Sequence, residues 1–190
     1  MVALTQAGNG AAAAELGMSP SAVSLAPGAA QVFEAAGYDA FGNPVDVAPA
    51  WSVLDGRAGS IDSATGQFTA GTVAGDYAGA VRAEAGDAMA TGDVSVTPGP
   101  LASLDVEPSS VTLAPGGVQV FEAAGYDAYG NAVDVAPTWS VNVLEAGTID
   151  SVSGAFTAGT SPGTYLGAVE AAAGAELATA DVTVTAGGLD

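Results

Sequence analysis

The chain has 190 residues, with 21 acidic side chains against two basic ones (Arg57 and Arg82) and no His, for a net charge of −19. Affinity for phosphate backbones and anionic headgroups comes from Lys and Arg, so nucleic acid and an acidic membrane surface are excluded as partners. The absence of both Cys and His removes disulfides, thiolate nucleophiles, zinc cages and the commonest general base.

Only 12% of residues are charged while 49% are hydrophobic, a balance suited to packed cores rather than to a disordered acidic tail. No apolar run approaches the ~20 residues of a membrane span, so no membrane insertion is expected. The opening MVALTQAGNG lacks the basic start and apolar centre of a signal peptide. Within residues 1–12, Val2 and Leu4 alternate with Ala3 and Thr5, so an extended segment places both apolar side chains on one side.

From Ala13 the chain reads as short strands separated by turn residues. Leu16 and Met18, then Val23 and Leu25, flank Pro20, which cannot donate to a ladder; this first strand is expected at an edge, passing from one sheet to the other. The Ala run at 11–15 has helix propensity, but its counterpart Gly99-Pro100-Leu101-Ala102-Ser103 does not, so strand starts are expected at both places. Phe33, Ala35 and Gly37, then Val45, Val47, Pro49, Trp51 and Val53, keep a period of two that turns Phe33 and Trp51 inward.

Between them, Asp39-Ala40-Phe41-Gly42-Asn43 has the chemistry of a hairpin on a type I turn: Asp to accept from the turn amides, Gly where φ becomes positive, and an aromatic tip. A second turn, Asp62-Ser63-Ala64-Thr65-Gly66, separates strands that bury Ile61 and Phe68. Tyr77, Gly79, Val81 and Ala83 alternate along the sixth strand, and Val94 and Val96 mark the seventh. Tyr77 stands where a sandwich commonly ties a crossover loop through a tyrosine hydroxyl.

The segment Phe33–Val53 returns as Phe121–Val141, and residues 19–98 match 107–186 without a gap at roughly 65% of positions. The chain is therefore one unit of about 85 residues written twice, each long enough to bury a core. The expected organisation is a leader at 1–12 and domains at 13–98 and 99–190, joined through the short, stiff Thr97-Pro98-Gly99-Pro100.

The succession SPSAVSLAPG, QVFEAAGYDAFGNPVD, WSV, GSIDSATGQFTAG, GDYAGAVRA and DVSVT, with its second copy, resembles the bacterial immunoglobulin-like domains, group 2 in particular. The resemblance spans nearly all of both repeats. It implies an all-β fold of two tandem Ig-like antiparallel β-sandwiches of about seven strands each, on the surface of a prokaryotic cell or outside it; it carries over no catalytic activity and no fixed binding site, and neither an enzyme nor a cofactor is expected.

The residues offer few sites. Asp39, Asp46 and Asp62, with Asp127, Asp134 and Asp150, recur between copies, but they lack EF-hand spacing and the turn positions already occupy Asp39 and Asp62; no metal site is assigned. Paired carboxylates for glycoside hydrolysis lack an aromatic cleft, so no catalytic residue is assigned. Trp51 and Trp139 fall in the alternating strands and are expected in the cores rather than as sugar platforms. Phe41 and Tyr129, at hairpin tips with no core to enter, are the candidate loop-tip contacts.

Outward positions such as Val32 and Ala36, or Leu166, Ala168 and Ala172, are apolar, without the Lys that usually guards sheet surfaces against association. The expectation is a non-enzymatic extracellular structural protein, a subunit of a self-assembling filament or layer whose partners are other copies of itself. In that reading Val2 and Leu4 are the candidate assembly contacts, a leader strand adding to a neighbour's sheet edge. The alternatives are an adhesive module binding surface glycan through Phe41 and Tyr129, or a spacer fragment of a longer surface protein.

Overall fold

The computed structural model describes residues 13–187, and the chain divides into two compact units between Pro98 and Gly99. Unit 1 contains β1 (Glu15–Ser19), β2 (Ala22–Leu25), β3 (Ala30–Val32), β4 (Glu34–Tyr38), β5 (Pro44–Val45), β6 (Ala50–Val53), β7 (Gly59–Ile61), β8 (Gln67–Ala70), β9 (Gly75–Ala85) and β10 (Ala88–Val96). The seven expected strands become ten segments because three of them break where the chain changes partners: at Pro20, at Phe33 and across residues 46–49.

The sheet orders are β1-β4-β5, β3-β8-β7 and β2-β10-β9-β6. Since β3 and β4 are parted only by Phe33, the two three-stranded sheets run on into one layer, and the four-stranded sheet forms the other. Pairing is antiparallel with one exception. Beyond Pro20 the chain crosses to the far layer, where β2 lies parallel to β10 with Val23 beside Val94 and Leu25 beside Val96. Both halves of this first strand are edge strands, as a Pro between them requires.

Phe33, Trp51, Phe68, Val81, Val94 and Val96 are the buried centre of unit 1. The Phe33 ring lies 5.9 Å from Phe68 in an edge-on contact and 6.5 Å from Trp51, tilted by 46°, which are favourable aromatic arrangements. Tyr77 donates its hydroxyl to the Val73 carbonyl at 2.8 Å, tying the loop ahead of β9 to the core.

Unit 2 repeats this plan with β11 (Leu101–Glu107), β12 (Ser110–Leu113), β13 (Val118–Val120), β14 (Glu122–Asp127), β15 (Ala132–Val133), β16 (Thr138–Val141), β17 (Gly147–Ile149), β18 (Ala155–Ala158), β19 (Gly163–Ala173) and β20 (Glu176–Val184), plus a 3-10 turn at Leu144–Ala146. Phe121 packs 6.0 Å from Phe156 and 6.3 Å from Trp139, and Tyr165 donates to Ser161 at 2.9 Å.

The alternation expected through Tyr77, Gly79 and Val81 is interrupted. Tyr77 pairs with Val94 and Val81 with Gly92, so residues 78–80 stand opposite Asp93 alone. Gly79 takes φ +60° and its amide donates to the Asp93 carboxylate at 2.7 Å. In unit 2 Gly167 donates to Asp181 in the same way, also at 2.7 Å. This bulge corrects one sequence expectation: Ala168 does not face outward but is fully buried, because the extra residues shift the phase of β19.

The copies also show how a size change in the core is balanced. A Cβ on Gly92 would lie 2.6 Å from the Met18 sulfur and 3.2 Å from the Phe33 ring. The corresponding residues of unit 2 are Ala180 and Val106, a larger residue facing a smaller one. Gly92→Ala is expected to destabilise unit 1 by about 1–3 kcal/mol through overpacking, and adding Met18→Val should recover most of the loss. Urea denaturation of the four combinations checks this coupling; additive effects would contradict it.

Candidate interaction surface

The hairpin tips are built by their aspartates. Asp39 Oδ1 accepts from the amides of Phe41 and Asn43, both at 2.9 Å, and the Asn43 side chain donates to Oδ2 at 3.0 Å. These bonds, the Asn43 side chain foremost, lower the Asp39 pKa. The tip is thereby fixed with its aromatic pointing away: Phe41 is 91% exposed, and Tyr129 of the second copy 58%. Neither belongs to the core clusters.

Asp127 is more enclosed than Asp39 and takes on a further donor. It accepts from the amides of Tyr129 at 2.8 Å and Asn131 at 2.9 Å, from the Asn131 side chain at 2.7 Å, and from the Gly99 amide at 2.8 Å. Burial pushes its pKa up, but the bonds from the Asn131 side chain and the three amides outweigh this and hold it at about 2. In the second turns the Thr65 side chain leads in lowering the Asp62 pKa, and the Ser153 amide leads for Asp150.

A carboxylate whose folded pKa lies below its unfolded value releases its proton more readily in the native state. Its contribution is complete above the ordinary carboxylate range and is lost as pH falls through the folded pKa. For Asp127 that window runs from about pH 4 down to about pH 2. The stability advantage of the native chain over Asp127→Asn is therefore expected to be constant near neutrality and to shrink through that window. Thermal melts between pH 7 and pH 2 check it; an advantage independent of pH would contradict it.

The six repeated aspartates do not converge. Asp39, Asp62, Asp127 and Asp150 each serve their own turn, while Asp46 and Asp134 are exposed beyond β5 and β15. Among the described residues no three metal-ligating side chains gather at one place. Trp51 and Trp139 are buried, so they offer no platform to a sugar. Val2 and Leu4 lie outside the described residues.

Exposed apolar side chains are concentrated elsewhere. Val32 and Ala36 face outward, as their phase in the strands indicates, and so does Leu166 at 74% exposure; Ala172 is half-buried. Alternation alone did not single out Val118 and Val120, which stand on β13, an edge strand among the described residues, Val118 being 73% exposed. They share the outward phase of Glu122, out of step with the buried Phe121, which is the signal that identifies them.

No protein-family model and no curated protein sequence matches the chain. Among solved structures, mouse cadherin-23 EC22-24 is similar with a TM-score of 0.53 at 16% identity, covering 91% of this chain and 65% of that one. Protocadherin gammaB7 EC3-6, described as a cis-dimer, gives 0.54 at 12% identity over 90% of this chain and 51% of that one. The S-layer protein rSbsC(31-844) gives 0.45 at 20% identity, covering 93% of this chain, which spans 29% of that protein. The cadherin likenesses establish the fold, two tandem Ig-like β-sandwiches.

Proposed function

We propose that this protein is a non-enzymatic, extracellular structural subunit that associates with copies of itself in a surface filament or layer, and that its units are of the bacterial group 2 Ig-like type. The observation that carries the reading is the row of exposed Val118 and Val120 on β13, an edge strand among the described residues. Proteins that remain single in water guard such edges with Lys, Pro or bulges, and this chain has no Lys. The fold relationship supports the setting: the similar protocadherin gamma B2 fragment consists of extracellular cadherin domains, and the gammaB7 fragment is a cis-dimer.

In this reading residues 1–12 add a strand to an open edge of a neighbouring copy, with Val2 and Leu4 the apolar contacts and β13 the acceptor. Deleting residues 1–12 is expected to abolish filaments or sheets seen by negative-stain electron microscopy. Unchanged polymers would refute strand addition.

The exposure of Phe41 supports a second reading, adhesion to surface glycan through the hairpin tips. Binding on a glycan array that is lost when Phe41 and Tyr129 are both changed to Ala would favour it over assembly.

A further inference from the structure

The two units carry opposite charges at one structural position. On the outer face of the four-stranded sheet of unit 1, Ser52, Arg82 and Thr91 stand side by side across β6, β9 and β10. In unit 2 the same row reads Ser140, Glu170 and Thr179 across β16, β19 and β20. The flanking hydroxyls are kept while the central side chain changes sign.

The surroundings suit a contact. Leu54 and Met89 are exposed in unit 1, as are Leu166 and Leu177 in unit 2. In the neighbouring rows Met89 pairs with Glu84 and Leu177 with Ala172. Arg82 forms an ion pair with Glu84 and its Nε is buried without a hydrogen-bond partner, whereas Ala172 occupies the Glu84 position of unit 2. Glu170 accepts from the Asn142 side chain at 3.1 Å, and unit 2 contains no basic residue of its own.

We infer that the outer face of the four-stranded sheet of unit 1 in one copy docks on the equivalent face of unit 2 in a second copy, with Arg82 set against Glu170. This rests on the reading of the protein as a self-associating subunit and names the faces that meet. Because the two faces differ, the contact is heterologous. After pairing, one copy retains its unit 2 face and the other its unit 1 face, so the contact propagates as an open chain unless the rotation closes a ring. An apolar patch supplies the area, and the opposed charges select unit 1 against unit 2 over either unit against itself.

The experiment is sedimentation velocity of the full chain over a concentration series, with circular dichroism to confirm folding. Arg82→Glu and Glu170→Arg are each expected to weaken association about tenfold, since each replaces an attraction by a repulsion. Mixed together they should regain it, because every contact between the two variants again joins opposite charges. Arg82→Gln, which adds no repulsion, should weaken association less and serves if Arg82→Glu fails to fold.

Arg57→Glu is the control. It changes net charge by the same amount, but Arg57 sits in the loop between β6 and β7, paired with Asp55 and over the Tyr77 ring. Association weakened equally by Arg57→Glu, or no rescue on mixing, would overturn the inference. A native chain that associates just as its charge variants do would also overturn it while leaving the structural-subunit reading intact. A native chain that stays monomeric at every concentration would remove both.

Discussion

Replacing Phe33 by Ala is expected to destabilise unit 1 by about 3–5 kcal/mol, the range for deleting a buried aromatic ring. Phe33 is 1% exposed and is the ring that touches both Trp51 and Phe68. It also marks the break between β3 and β4, where its amide leaves the ladder and donates to the Gly66 carbonyl at 2.9 Å. A cavity there opens between the two layers, and neither neighbouring ring can close it without leaving its own strand.

Domains of about 85 residues have roughly 4–13 kcal/mol in total, so the loss is a large share of the unit's stability. Urea denaturation in a Trp139→Phe background, where Trp51 is the remaining indole, reads unit 1 directly. Phe41→Ala in the same background should move the midpoint little, since it removes an exposed ring. A Phe33→Ala loss below about 1 kcal/mol would contradict the described core.

The second large effect is expected at Gly66. It adopts φ +70°, and a Cβ would lie 2.4 Å from the Phe33 carbonyl oxygen and 2.9 Å from Trp51 Cε2. The turn is held down on both sides, by the Phe33 bond to Gly66 and by the Trp51 amide donating to Ser63 at 3.1 Å, so it cannot lift away. Gly42 has φ +82° with nothing within 4 Å of the same added atom. Gly42→Ala should therefore cost about 1–2 kcal/mol of backbone strain alone, and Gly66→Ala distinctly more. Equal losses in denaturation would show that close approach at Gly66 contributes nothing.

Both residues were legible in the sequence for physical reasons. Phe33 and Trp51 announce themselves by alternation, and the two Asp-to-Gly turns by the amide-capping chemistry that Asp39 and Asp62 perform. Pro20 foretold the passage of the first strand between sheets. The bulge was not legible, because Gly79 falls in phase with Tyr77 and Val81; only its pairing with Asp93, 14 residues away, distinguishes a bulge from regular strand. The equivalent pairing in unit 2, Gly167 with Asp181, accompanies the bulge that turns Ala168 inward.

The parallel alignment of β2 with β10 was hidden for the same reason: a local pattern of apolar residues reports which face is buried and says nothing about which strand lies alongside. The opposed charges at Arg82 and Glu170 are visible when the repeats are superposed. Their place at the centre of equivalent outer rows needs the ladder register.

The central claim is association of the chain with itself, and the most direct measurement is the sedimentation of the full chain alone, without ligand, across a wide concentration range. Species that grow with concentration and appear by electron microscopy as filaments or sheets are expected. A single monomeric boundary at every concentration would contradict it.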